Sequence, residues 1–207
     1  MYDLRCDRAQ SWIKRAGATV DVDAKFVFLW VAFDSLFGQA KYLGRKSDLS
    51  DFLATAIQAD EDASLPAAMM LVRAEALVLT RLKYLYPKYW TDGLSVGLQE
   101  EITRNANRVN QKWGVGRPQD CLQMLYRRLY VLRNQVMHGA AKAGSRINRD
   151  SLESAVPVLS ATVPVFREIV SKHPDDDWGA VPYRPLRRFG EPDTEGPAFN
   201  AARVTRK

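Results

Sequence analysis

Arg133, Asn134 and His138 stand in the stretch LRNQVMHGAA, residues 132 to 141, which holds one of only two histidines in the chain. Histidine titrates near neutrality and can accept or donate a proton in a transition state. Arginine is charged at every working pH, and its planar fork fits phosphate oxygens, so it suits charge stabilisation. Asparagine can orient either by hydrogen bonding. Among the reactions such a set could serve is cleavage of RNA, whose own 2′-hydroxyl is a built-in nucleophile. A protein promoting it without a metal removes one proton, delivers another to the leaving oxygen and stabilises extra negative charge on phosphorus. Arg-x4-His alone arises by chance in about one chain in four, whereas Arg-Asn-x3-His arises in about one in a hundred, so the asparagine makes the motif moderately specific.

The element that must hold these residues reads as a helix from Gln119 to about Ala143. Leu122, Leu125, Leu129, Leu132 and Val136 follow one another at three- and four-residue steps and form a core-facing stripe. Stepping about 100° per residue turns Asn134 and His138 away from that stripe, with Arg127 and Val131 close by. The imidazole is therefore expected in solvent. A bland reading stands beside the chemical one: a histidine near a helix C-terminus, followed by glycine, interacts favourably with the helix dipole and the open carbonyls. In an ideal helix Arg133 and His138 are also about 140° apart around the axis, too far to converge on one phosphate. Either the helix unwinds near Gly139, or a second copy supplies the missing group across a two-fold interface formed by Arg127, Tyr130, Val131, Asn134 and His138. We favour the homodimer. Such a cleft would attract RNA in a salt-sensitive way, with Arg104, Arg108, Arg128 and the C-terminal arginines as candidates for its approach surface.

Helical spacing recurs nearly everywhere and clean strand alternation is hard to find, which predicts an all-α bundle of about six to seven helices. The others are expected over Leu4 to Arg15, Asp23 to about Tyr42, Ser47 to about Ala59, Pro66 to about Leu85 and Leu98 to about Trp113. A last one has Asp150 as N-cap and Glu153 completing a capping box. The second carries Phe26, Leu29, Trp30, Phe33, Leu36 and Phe37 on one side and should form the core. The polar fifth should be largely solvated. Pro157 and Pro164 should kink or split the last. Tyr84, Tyr86, Pro87, Tyr89 and Trp90 make an aromatic break that could stack bases; more commonly such a cluster plugs the end of a helical core. Residues 1–173 read as the domain, and 174–207, rich in proline and arginine, as an extended or disordered arm.

The 207 residues are 46% hydrophobic and 26% charged, as in a folded globular protein, and the net charge of +6 favours acidic partners. Cys6 and Cys121 form no CxxC, so neither a disulfide framework nor a zinc site is indicated. Asp175, Asp176 and Asp177 read as a solvated turn in preference to a metal site. No metal or cofactor is expected. The N-terminus has charges where a signal peptide needs an apolar core. The run Phe26 to Phe33 is too short to span a bilayer, so a cytoplasmic protein without membrane association is expected.

Arg133-Asn134-Gln135-Val136-Met137-His138-Gly139, late in an all-helical domain, resembles the Arg-x4–6-His signature of the HEPN superfamily (higher eukaryotes and prokaryotes nucleotide-binding). FVFLWVAFDSLFG, residues 26 to 38, is similar to the opening core helix of many bacterial members, and residues 148 to 170 resemble the helix after the motif, so the likeness covers about Asp23 to His173. It implies a helical, commonly homodimeric domain and a metal-independent endoribonuclease with Arg133, Asn134 and His138 as the catalytic set. The setting it implies is a toxin–antitoxin pair or phage defence, with an antitoxin or other regulatory protein as partner. Other members bind nucleotide, RNA or a partner protein without cutting, and a third reading is an interaction protein in which the motif only caps a helix. Two positions depart from the pattern. Ala140 stands where adenylylated toxins often carry tyrosine, which argues against control by that route. Asp34 stands where asparagine is commoner, and would at most help position Arg133.

Overall fold

The computed structural model describes residues 4–37, 49–139, 144 and 148–178. Among them are nine α-helices and no strand: α1 (Leu4–Gly17), α2 (Val22–Phe37), α3 (Leu49–Gln58), α4 (Ser64–Met70), α5 (Arg73–Arg81), α6 (Pro87–Asp92), α7 (Val96–Gly114), α8 (Leu122–Met137) and α9 (Arg149–Lys172). The all-α bundle expected from periodicity is therefore present, with more and shorter helices than the six or seven anticipated. The expected end of the second helix at Tyr42, the start of the third at Ser47, the end of the sixth at Ala143, Ala140 itself and the arm beyond residue 178 lie outside the described residues.

The core is built on α2 and α9. The first is apolar nearly all round, burying Phe26, Leu29, Trp30, Ala32, Phe33, Leu36 and Phe37 between α1 and α9. Phe33 is fully buried at the centre of an aromatic cluster, its centroid 4.6 Å from Tyr126 of α8, 5.0 Å from Phe37, 5.7 Å from Phe52 of α3 and 5.7 Å from Phe166 of α9. One ring thus ties four helices together.

The helix read from Pro66 to Leu85 is instead α4 and α5 with a break at Leu71 and Val72, followed by a 3-10 turn over Lys83–Leu85. The carbonyl of Met69 accepts the Val72 N–H at 3.1 Å, a three-residue closure, and also the indole N–H of Trp113 in α7 at 3.1 Å. A buried long-range donor stabilises the broken turn, and no local pattern announces it. Replacing Trp113 by phenylalanine should lower stability by about 1 kcal/mol through that hydrogen bond, checked as a shift in urea midpoint at constant slope.

Three other boundaries differ. Pro157 and Pro164 do not divide α9, which runs unbroken for 24 residues. The carbonyls the two prolines leave unserved, four residues earlier at Glu153 and Ser160, belong to exposed positions that water can reach. There is no capping box: α9 starts at Arg149 after Asn148, whose amide donates to Gln135 Oε1 at 3.3 Å. Finally, packing continues past residue 173. Trp178 is buried against Phe52, with ring centroids 5.7 Å apart, and its indole donates to the His173 carbonyl at 2.7 Å. Its own carbonyl accepts from the Arg5 guanidinium. Packing on the core thus extends at least to Trp178, five residues beyond the expected boundary at 173.

Candidate functional site

A tie at its base sets the direction of α8. It follows a 3-10 turn over Pro118–Cys121, within which the Asp120 carboxylate accepts from Lys112 Nζ of α7 at 2.6 Å. That hydrogen bond, chiefly, holds the Asp120 carboxyl below the ordinary carboxylate range. Above it Leu122, Leu125, Leu129 and Leu132 are fully buried as the stripe predicts, and Val136 is half-buried against the same core. Cys121 and Cys6 are buried thiols outside any disulfide among the described residues; Cys6 Sγ donates to the Arg167 carbonyl at 3.4 Å, and burial pushes the Cys121 thiol up.

At its far end α8 stops at Met137. His138 is the C-cap residue, its N–H donating to the Asn134 carbonyl at 3.0 Å, and Gly139 follows at φ +70°, with its N–H on the Val136 carbonyl at 3.4 Å. This left-handed step, which glycine alone adopts without cost, turns the chain off the helix. The His138 side chain is exposed, as the helical wheel requires. Arg133 and Asn134 are half-buried one turn earlier, Arg133 Nη1 donating to Asn134 Oδ1 at 3.1 Å. Arg133 Nε has no hydrogen-bond partner among the described residues. The chain thus brings arginine and asparagine together. Among the described residues no hydrogen bond joins either side chain to the imidazole.

The residues expected to form a two-fold face fare unequally. Arg127 is exposed and donates to Ser50 Oγ at 3.4 Å, Tyr130 is 37% exposed with its ring 6.0 Å from Trp30, and Val131 is half-buried. Arg128 is a correction. It is 7% exposed, its guanidinium carbon lies 3.4 Å from the centroid of the Tyr86 ring, and it donates to Glu101 Oε1 at 3.4 Å. Burial is the main cause that lowers its pKa, with Tyr86 and Glu101 opposing. It braces α8 against α7 and is not on an approach surface. Arg128→Ala should cost about 2 kcal/mol of stability through lost cation–π and stem packing, read by denaturation, while leaving any RNA-binding salt slope unchanged.

Asp34 is a second correction. Phe33 meets Tyr126 and Trp30 meets Tyr130, so α2 and α8 run antiparallel and Asp34 lies level with the beginning of α8, remote from Arg133. The opposite end of α2 is the one near the motif. There Asp23 Oδ2 accepts from the Gly144 N–H at 3.1 Å and from Arg149 Nη2 at 3.0 Å, fastening the connection between α8 and α9. Gln135 also went unread by the sequence pattern. Its amide donates to the Tyr84 carbonyl at 2.9 Å and accepts from Asn148, so it locks the last turn of α8 against the aromatic break and the start of α9. Its place inside the motif was the available signal.

No group of three or more His, Cys, Asp or Glu side chains that could hold a metal occurs among the described residues, and none of their helices is long and apolar enough to cross a membrane. Chemically, the end of α8 offers one solvent-facing imidazole and one guanidinium steadied by a carboxamide. Comparison with known proteins finds no matching family model, no matching curated protein and no matching solved structure.

Proposed function

We propose that the chain is a metal-independent endoribonuclease of the HEPN type, acting as a homodimer in the cytoplasm in a toxin or phage-defence setting. The observation that carries this is the exposed His138 imidazole one helical turn beyond the Arg133–Asn134 pair. In the reaction the RNA 2′-oxygen, deprotonated by the His138 imidazole, attacks phosphorus as the bond from phosphorus to the 5′-oxygen breaks, and the imidazolium so formed gives its proton to that oxygen, leaving a 2′,3′-cyclic phosphate and a 5′-hydroxyl. Arg133 stabilises the charge that gathers on the non-bridging oxygens. Asn134 keeps the guanidinium from swinging free. Because the two groups diverge on one helix, His138 of one copy works with Arg133 of the other. An antitoxin or other regulatory protein would hold such an activity in check.

A second reading is favoured by one feature: His138 followed by a left-handed Gly139 is also an ordinary helix ending. On that reading the chain is a non-catalytic module binding nucleotide, RNA or a partner protein. Incubating a mixed RNA pool in excess chelator with the wild type, His138→Ala and Arg133→Ala decides between them. Cutting lost in both folded variants supports the nuclease. A wild type that cuts nothing, while binding nucleotide or protein tightly, supports the module.

A further inference from the structure

Residues Arg81 to Trp90, RLKYLYPKYW, carry three cations, four aromatic rings and no acidic side chain. The fold divides those rings by task. Tyr86 is the buried plug, its hydroxyl donating to the Thr80 carbonyl at 2.6 Å beneath Arg128. Trp90 does not plug anything: it is 65% exposed, against 36% for Trp12, the other exposed tryptophan among the described residues. Its indole N–H, the one polar atom of the side chain, is spent on the Tyr84 carbonyl at 2.9 Å, so what faces solvent is apolar π surface. The ring is also held in place. Tyr89 stands edge-on to it with centroids 5.5 Å apart at 81°, and Lys83 Nζ lies 5.4 Å from the Tyr89 centroid.

The same Tyr84 carbonyl accepts from Gln135 Nε2, also at 2.9 Å. Two donors on one oxygen set the Trp90 indole beside Gln135, and His138 follows Gln135 by three residues, the next position on that face of α8. An exposed ring whose N–H is already occupied, with Lys83 at the adjoining Tyr89 and the exposed imidazole on the same side of α8, suits a strand whose bases are unstacked. Duplex RNA hides its base faces, and an acidic protein partner would leave the locked ring edge unexplained.

We propose that Trp90 is a stacking platform for one base of single-stranded RNA, with Lys83 beside the backbone and the adjoining phosphodiester at His138. Only that last placement rests on the ribonuclease reading; the stacking does not.

The test uses a single-stranded RNA of about ten nucleotides that is fully 2′-O-methylated, which removes the nucleophile and prevents cutting. It is titrated at low salt into the full chain, with binding read by anisotropy and by tryptophan fluorescence. Wild type should bind with a quench. Trp90→Ala should bind about tenfold more weakly without the quench, and Trp90→Phe should keep most of the affinity. Equal affinity of Trp90→Ala and wild type overturns the platform, as does a wild type that binds no oligonucleotide. The latter would be accompanied by loss of self-association in Trp90→Ala if the patch is a protein contact instead. Cleavage of the unmodified oligonucleotide is scored separately. Trp90-dependent binding without cutting keeps the platform and removes the nuclease; cutting with Trp90-independent binding does the reverse.

Discussion

His138→Ala is expected to slow RNA cleavage by about 10³-fold, the usual worth of a positioned acid–base group, and Arg133→Ala by about 10²–10³-fold through lost charge stabilisation. Neither should move the melting temperature by more than about 2 °C, because His138 is exposed and Arg133 half-buried at a helix end. Mixing the two inactive variants separates the possible geometries. If the site takes His138 from one copy and Arg133 from the other, random re-pairing restores intact sites in one half of each mixed dimer, about a quarter of wild-type activity. If both groups act within one copy, every site in the mixture lacks one of them and nothing returns. A wild-type rate matched by either variant alone would sink the nuclease, whatever the dimer does.

The core stripe of α8 was legible because a helix stacks positions three and four apart, and four leucines at that spacing admit no other burial. Arg128 was legible in principle too: it follows Leu125 by three and precedes Leu132 by four, the signature of the buried face. Its charge concealed this, since only the Tyr86 ring and Glu101, distant in sequence, make burial tolerable. The break between α4 and α5 was not legible, for it depends on a tryptophan 44 residues away. Nor was the fastening of the motif by Tyr84 and Asp23, 51 and 121 residues from their partners Gln135 and Gly144. Identity of the candidate site is local information; its rigidity is tertiary. The antiparallel pairing of α2 with α8 illustrates the same division, giving Asp23 the place near the motif that the pattern had suggested for Asp34.

Phe33→Ala should be the most damaging single truncation in the core, at about 3–5 kcal/mol. The side chain is wholly buried, with Trp30, Phe37, Phe52, Tyr126 and Phe166 all ringed around it at 4.6 to 5.7 Å. Removing it opens a void whose walls come from α2, α3, α8 and α9, and four helices locked by other contacts cannot all close in. Two of the walls are fixed to each other by the buried 2.6 Å hydrogen bond between the Tyr126 hydroxyl and Thr162 Oγ1, which resists collapse from that side. Phe33→Leu keeps most of the volume and should cost under about 1.5 kcal/mol. Both are read from urea midpoints with the slope held constant. Against a total stability of about 5–15 kcal/mol, the alanine variant loses a large share, and with it the seat of α8 beneath Tyr126. A loss under about 1 kcal/mol for Phe33→Ala would mean that this ring does not join the four helices, and that α8 is positioned chiefly by its anchors at Asp120 and Gln135.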